Sequence, residues 1–228
     1  MADITFPMQG DTPDMDSQTF TRVAHPAQIP EHIVHLSEIF TASGHQIFLV
    51  GGCVRDLVLG REPNDYDFST SATVEEIVQV LEANNLPYDD HYFFLNYVPV
   101  IFHQGDEEEK IDVSCFHGNS LWNDLHRRDI TINAMAYDIQ KGEIIDCTGG
   151  LSDMNNRIIR LNRPLNEEKS GDILRVLRFT LELDFKIDPA TYDALKDAVP
   201  FLENIRTSTL TKGMTKLLRG AEHALVAK

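Results

Sequence analysis

The sequence predicts an α+β protein, with a mixed sheet-and-helix head up to about residue 160 followed by an all-helical segment. Three observations carry that expectation. Short buried strand patterns alternate with amphipathic helices between residues 31 and 116, and Gly-Gly pairs stand at 51–52 and 149–150. From about Asp172 onward the apolar positions recur only at helical spacing. At 228 residues and 42% hydrophobic composition, the chain is long enough for one large domain or two small ones.

In chain order, residues 1–29 mix Pro, Gly, Asp and Thr without periodicity and read as a flexible leader. From Glu31, the positions Ile33, Val34, Leu36, Ile39 and Phe40 predict a helix that Ser43-Gly44 ends. Gln46 to Val50 is a short buried strand running into Gly51-Gly52. Residues 53–59 suit a helix stopped by Gly60, and Asp65 to Ser69 a second strand. Thr73 to Ala83 is amphipathic, and strands near 93–103 and 110–116 form a hairpin through the acidic turn at 105–109. A helical turn after Asn133 and a strand at Glu143 to Asp146 complete the head, residues 30–160. The segment ILRVLRFTLEL, then PATYDALKDAV, then a last helix through Leu217 make up residues 161–228.

Composition excludes several classes. No apolar run approaches the eighteen or so residues of a membrane span. The first twenty residues lack the basic and apolar regions of a signal peptide. Cys53, Cys115 and Cys147 are odd in number and scattered, so neither a disulfide framework nor a zinc site follows, and a reducing cytoplasm is expected. The net charge of −16 is uneven: residues 1–120 hold 20 acids against four bases (Arg22, Arg55, Arg61, Lys110), whereas residues 121–228 hold 16 of each. A phosphate-rich partner is repelled by the first half unless metal ions intervene, so any RNA belongs on the second and binds this chain weakly.

The most informative stretch is FLVGGCVRDLVLGREPNDYDFSTS, residues 48–71. A strand ends at Gly51 and Gly52 and a helix starts at once, which lets backbone N–H groups approach a phosphate. Asp65 and Asp67, at i,i+2 on the next strand, are expected to face the same way. Such a pair can hold Mg²⁺ against a triphosphate. The alternative is a plain Gly-Gly turn followed by an Asp-rich turn.

GGCVRDLVLGREPNDYD resembles the first motif of the tRNA nucleotidyltransferase (CCA-adding enzyme) and bacterial poly(A) polymerase family. HRRDITINAMAYD (126–138) and IIDCTGGLSDMNNRIIR (144–160) are similar to two further family segments in the right order, and LDFKIDPATYDAL follows the family's neck. The resemblance covers about residues 32–220. It implies a nucleotidyltransferase (polymerase-β-like) mixed-sheet head and a helical neck, with Asp65 and Asp67 as the metal-binding catalytic pair and Mg²⁺ as cofactor. CTP and/or ATP would be the substrates and an RNA, tRNA first, the acceptor. Asp112 falls on the strand that often carries a third catalytic carboxylate, or is an exposed strand Asp. Arg55 touches the triphosphate or pairs with a neighbouring acid. Arg128, Asp129 and Asn133 are implied to contact the nucleotide sugar, while Asp146, Gly149, Gly150 and Asp153 read as structural. In the family an E-D-x-x-R motif reads the Watson–Crick edge. Here Asp172 and Arg175 hold the D and R positions, with Arg178 an alternative for the latter, and Asp172 as a simple N-cap the other reading.

The sequence departs from the pattern in four places. Gly171 replaces the Glu of E-D-x-x-R, and His117 stands where most relatives have Arg. Only ten residues separate Phe116 from Arg127, where most relatives carry a longer loop associated with switching from C to A addition. The chain also stops near the first neck helices, which suggests a homo-oligomer or a companion RNA-binding subunit. An apolar stripe on the last helix (Leu210, Met214, Leu217, Leu218) supports the same expectation. The competing functions are transfer to a small-molecule or protein acceptor, and a non-catalytic subunit.

Overall fold

A computed structural model of the chain describes residues 19–104, 107–166, 168 and 170–226. Its framework is a seven-stranded sheet in the order β1-β7-β6-β2-β3-β5-β4. The strands are β1 (Thr21–Ala24), β2 (Ile47–Val50), β3 (Asp67–Thr70), β4 (Tyr97–Gln104), β5 (Glu107–Cys115), β6 (Met135–Asp138) and β7 (Glu143–Asp146). All neighbours are antiparallel except β3 and β5, which run parallel. The period-2 alternation of strands sorts β2 cleanly: Ile47 and Leu49 enter the main core, and Phe48 and Val50 a smaller one on the opposite face. Helices α1 (Glu31–Ala42), α2 (Gly52–Val58) and α3 (Val74–Ala83) supply apolar faces to the main core. The Thr73/Glu76 capping box fixes the start of α3. The opposite face is closed by α4 (Leu121–His126), through Leu121 and Leu125 against Phe48, Phe116 and Ile145.

Past β7, Asp146 accepts from the backbone N–H groups of Thr148, Gly149 and Leu151. It thereby shapes the turn into α5 (Gly150–Asn156). A Cβ at Gly150 would collide with the Thr131 carbonyl oxygen, so only glycine fits there. Asp153 is held by Thr131 and Arg160, and Arg160 continues to Asp188 at 2.6 Å. Two short strands, β8 (Ile158–Ile159) and β9 (Lys186–Ile187), pair in parallel and tie the head to the helices that follow. Those are α6 (Gly171–Leu183), α7 (Pro189–Ala198) and α8 (Thr207–Val226). Ile173, Val176, Phe179 and Leu183 of α6 join the main core, so head and helical segment share one apolar interior. Helix α8 crosses α6 closely at Gly213, where a Cβ would stand 2.5 Å from the Leu174 Cδ1.

Several expectations need correction. The leader assigned to residues 1–29 includes β1, whose four residues are exposed and held by the backbone ladder to β7. A strand that buries nothing leaves no hydrophobic period in the sequence. Residues 1–18 lie outside the described residues. Met135–Asp138, after Asn133, is the fully buried strand β6, between β7 and β2. The ten-residue stretch after Phe116 contains α4. Residues 90–95 form a 3-10 turn, β4 starting only at Tyr97, and Glu107–Glu109 belong to β5 rather than to a turn. The last helix runs past Leu217 to Val226. Asp65 lies in a bend before β3 and not on the strand, because Asp67 is the first residue to enter the ladder.

Candidate active site

The parallel pairing of β3 with β5 sets Asp67 opposite Asp112 in register, so both carboxylates leave the same face of the sheet. Phe68, Ile111 and Val113 point the other way into the core and fix that alternation. Asp67 and Asp112 line a cleft of about 730 Å³, whose walls include Glu75, Phe93 and Tyr97 on one side and Phe116, His117, Gly118, Asn119, Arg127 and Arg128 on the other.

Gly51, between β2 and α2, has φ +83°, a conformation L side chains rarely adopt. Its missing Cβ leaves room for Arg128, whose Nη1 would lie 3.1 Å from such an atom, with the Asp67 Oδ2 at 4.0 Å. At Gly52 the nearest atom would be the Arg55 Nη2 at 3.6 Å, an ordinary contact.

Negative charge is only partly compensated at this spot. Asp67 is exposed as a residue, yet partial dehydration of its carboxyl in the cleft pushes it up to about 6; the Asp112 charge adds to that, the Arg128 guanidinium opposes it, and Asp65 adds a smaller push. Burial raises Asp112 as well, with Asp65 reinforcing and Lys110 opposing. Carboxylates held together at the cost of a raised proton affinity form a hard oxygen donor set, which fits a divalent cation. Asp65 is exposed and does not line the cleft; it acts there through its charge. Among the described residues, the set of three possible ligand atoms within 4.8 Å of one another is elsewhere, at Asp89, Asp90 and His91. There the Asp89 carboxylate accepts from the His91 backbone N–H at 3.1 Å and meets its ring Nδ1 at 2.8 Å, closing an exposed turn.

A family pattern described as the poly A polymerase head domain matches residues 47–160, half of the chain. The chain belongs to that family. A CC-adding tRNA nucleotidyltransferase from Halalkalibacterium halodurans is 35% identical over 185 residues, covering 79% of this chain and 46% of the relative. The Bacillus stearothermophilus CCA-adding enzyme solved in complex with CTP superposes with a TM-score of 0.71 at 33% identity, over 82% of this chain and 47% of that one. The Thermotoga maritima CCA-adding enzyme complexed with tRNA gives 0.72 at 28% identity, over 83% and 48%. The fold is thus that of a nucleotidyltransferase head, and the chain spans about half the length of the relatives it matches.

In this poly(A) polymerase-type head, the remaining sequence candidates do not line the cleft. Arg55 is buried and paired with Asp56, through Nη2 at 2.9 Å and Nε at 3.0 Å, and donates from Nη1 to the Asn133 Oδ1 at 2.8 Å. Its neighbouring acid therefore claims it. Asp129 accepts from the Arg175 Nε at 2.6 Å; burial would raise its carboxyl, but Arg175 holds it below the ordinary range. Asp172 pairs not with Arg175 but with Arg163, which also donates to the Arg127 carbonyl at 2.7 Å. Burial raises Asp172 despite that partner. The N-cap of α6 is Ser170, so Asp172 is not a cap. The guanidinium carbons of Arg178, Arg55 and Arg175 stand 4.3, 4.9 and 5.8 Å from the centre of the Phe179 ring. Burial lowers Arg178, with Glu182 opposing at 3.7 Å and the other two arginines reinforcing.

Sequence reasoning passed over Asp124 and Arg163. Asp124 sits three and four residues before Arg127 and Arg128, a helical spacing that predicts ion pairs. Arg163 gave no signal, because its partner lies across the turn into α6. No helix among the described residues is long and apolar enough to cross a membrane.

Proposed function

We propose that the protein is a metal-dependent nucleotidyltransferase that adds CMP and/or AMP to an RNA 3′-hydroxyl, with tRNA as the acceptor, and releases pyrophosphate. The observation that carries this reading is the in-register pair Asp67 and Asp112, only partly offset by Arg128 and Lys110, in a cleft of nucleotide size that Arg128 also lines. Asp67 and Asp112 would hold the divalent ion, with Asp65 adding charge at its edge. When bound, that ion neutralises the triphosphate and lowers the proton affinity of the attacking hydroxyl. The 3′-oxygen forms a bond to the α-phosphorus as the bond to the β-phosphate oxygen breaks, and the hydroxyl proton leaves to a carboxylate or water. Arg128 meets the triphosphate, Gly51 gives it room, and Arg55 with Asn133 keeps the wall behind rigid.

Asp172 and Arg175 read the base, which requires them to exchange their present partners Arg163 and Asp129 for the nucleotide. Arg178 and Arg55 brace the Phe179 ring beneath. The compact 117–126 segment in place of a long loop favours C addition over A addition. We assign residues 30–160 to the catalytic head and 161–228 to the neck. The location is cytoplasmic, and the acidic head makes tRNA binding weak unless a second copy or a companion subunit contributes. The exposed Leu177, Leu181, Leu210, Met214 and Leu218 suit such a contact.

The test is extension at single-nucleotide resolution with Mg²⁺. The acceptors are tRNA ending before CCA, the same tRNA ending in CC, and a plain oligonucleotide, each offered the four labelled nucleotides separately. Label incorporation from CTP that disappears in Asp67→Ala supports the reading. A folded protein that labels no RNA, or labels it equally in Asp67→Ala, overturns it.

A further inference from the structure

Asp124 is the one acidic side chain that connects both parts of the cleft wall formed by residues 116–128. Its side chain is 0% exposed. Burial would raise its carboxyl; the charges of Arg128 and then Arg127, with hydrogen bonds from both, overcome that and hold it below the ordinary carboxylate range. Oδ2 accepts from the Arg128 Nη2 at 2.9 Å, and Oδ1 from the Arg127 Nε at 3.1 Å and the His117 backbone N–H at 3.3 Å. His117 opens a tight turn in which Gly118 and Asn119 both take positive φ, and Asn123 donates back to the Gly118 carbonyl at 3.0 Å. One carboxylate therefore sets the positions of the turn and of both arginines that line the cleft.

The pairing uses only part of Arg128. Its Nε is buried with no hydrogen-bond partner among the described residues, and Nη1 faces the space that Gly51 leaves beside Asp67. A guanidinium pinned at one nitrogen, with donors left over, is built to meet a further anion.

We propose that Asp124 is a positioning residue for nucleotide binding: it pins Arg128, and with it Arg127 and the 117–119 turn, so that the unused Arg128 donors meet the triphosphate. The proposal rests on the nucleotidyltransferase reading but concerns polyphosphate recognition, which can be measured without turnover. Charge alone would place a cation near the phosphates; a pinned guanidinium adds direction, and direction requires the buried carboxylate.

The experiment titrates inorganic tripolyphosphate with Mg²⁺ into the wild type, Asp124→Asn, Arg128→Gln, Arg128→Lys and the Asp124→Asn/Arg128→Gln double variant, with folding followed by circular dichroism. Asp124→Asn and Arg128→Gln should each weaken binding by about tenfold or more, and the double variant should bind no more weakly than Arg128→Gln alone. Arg128→Lys keeps the charge but loses the fork, so it should also lose most of the affinity; it decides the matter even if Asp124→Asn fails to fold. In CTP turnover the Asp124→Asn loss should fall on KM with kcat within about threefold. Unchanged tripolyphosphate binding in folded Asp124→Asn, multiplicative losses in the double variant, wild-type binding by Arg128→Lys, or no binding by the wild type each overturns the proposal. A wild type that binds tripolyphosphate but transfers no nucleotide overturns the transferase reading and leaves Asp124 in its place.

Discussion

Two of the acidic sites among the described residues, the cleft and the head–neck ion pairs, are built on opposite electrostatic terms. At the cleft, Asp67 and Asp112 stand in register with Asp65 close enough to be felt, and Arg128 is the cation that opposes Asp67. Outside it, Asp129 and Asp172 each own an arginine, Arg175 and Arg163, and both pairs are short. The first arrangement keeps charge in excess and gains from a cation supplied from outside. The second is neutral within itself, holds head and neck helix together, and can give up a partner only when a ligand replaces it. Unbalanced charge thus marks the candidate metal site, while the balanced pairs brace the head against the neck until a ligand replaces a partner.

The sharpest way to break the comparison is Asp67→Asn. Transfer should fall by about three orders of magnitude, as for loss of a group that acts only in the transition state. The metal-free variant should nevertheless melt higher than the wild type at pH 7.5. The raised Asp67 carboxyl means that the folded protein holds its proton more tightly than the unfolded chain, so stability is present at low pH and lost as pH rises from about 4 through about 6. Asn never suffers that loss. Melting curves in EDTA at pH 4 and 7.5 check the sign, with the advantage confined to the higher pH. Mg²⁺ should raise the wild-type melting temperature and leave the variant's unchanged.

Arg175→Met attacks the balanced site and should show the reverse pH dependence. Asp129 sits below its ordinary value, so the pair stabilises at neutral pH and the contribution is lost as pH falls through the acid range. Arg175 is 49% exposed and solvent shares its charge, so the expected cost is roughly 2 kcal/mol at pH 7. Urea unfolding at pH 7 and pH 3 measures it, and a cost that grows on acidification would contradict the pairing.

Glycine at the cleft is the next step down. Gly51→Ala places a Cβ 3.1 Å from Arg128 on a backbone with φ +83°, and should cost about 1–2 kcal/mol together with a large rise in KM for the nucleotide. Gly52→Ala meets only ordinary contacts and should change either by little. Equal effects at the two positions would show that the Gly51 backbone is not what shapes the pocket.

How much of this was legible in the sequence depends on how local the cause is. The Gly51-Gly52 turn, Asp67 on its strand and the stripe of α6 follow from neighbours within a few residues, and the structure has a turn, a strand and a helix there. The i,i+2 spacing of Asp65 and Asp67 is silent about where a ladder begins, which the partners Asp112, opposite Asp67, and Leu49, opposite Phe68, decide. Strand β6 is Met-Ala-Tyr-Asp, weak in β-branched residues, and is a strand because β2 and β7 flank it. Strand β1 is exposed throughout and exists through its ladder alone. The Arg163–Asp172 pair spans a turn whose course no residue type announces, whereas Asp124 was readable from its i,i+3 and i,i+4 arginines.

That Arg163–Asp172 pair gives the smallest and most discriminating test. If Asp172 reads the exocyclic amine of C or A, its removal leaves that amine unpaired and lifts the penalty on U and G, which present a carbonyl there. The penalty is on the order of 1–3 kcal/mol, so preference for CTP over UTP should relax by about tenfold or more in Asp172→Ala. Stability should barely move, because Arg163 keeps its hydrogen bond to the Arg127 carbonyl and reaches water. Arg163→Ala provides the contrast: it frees Asp172 without removing it, so base preference should be retained while KM for CTP falls or holds. Competition between CTP and UTP in one extension reaction reads both variants directly. A preference that survives in Asp172→Ala and collapses in Arg163→Ala would move base reading from the carboxylate to the arginine, and would make the neck pair part of the unbalanced site after all.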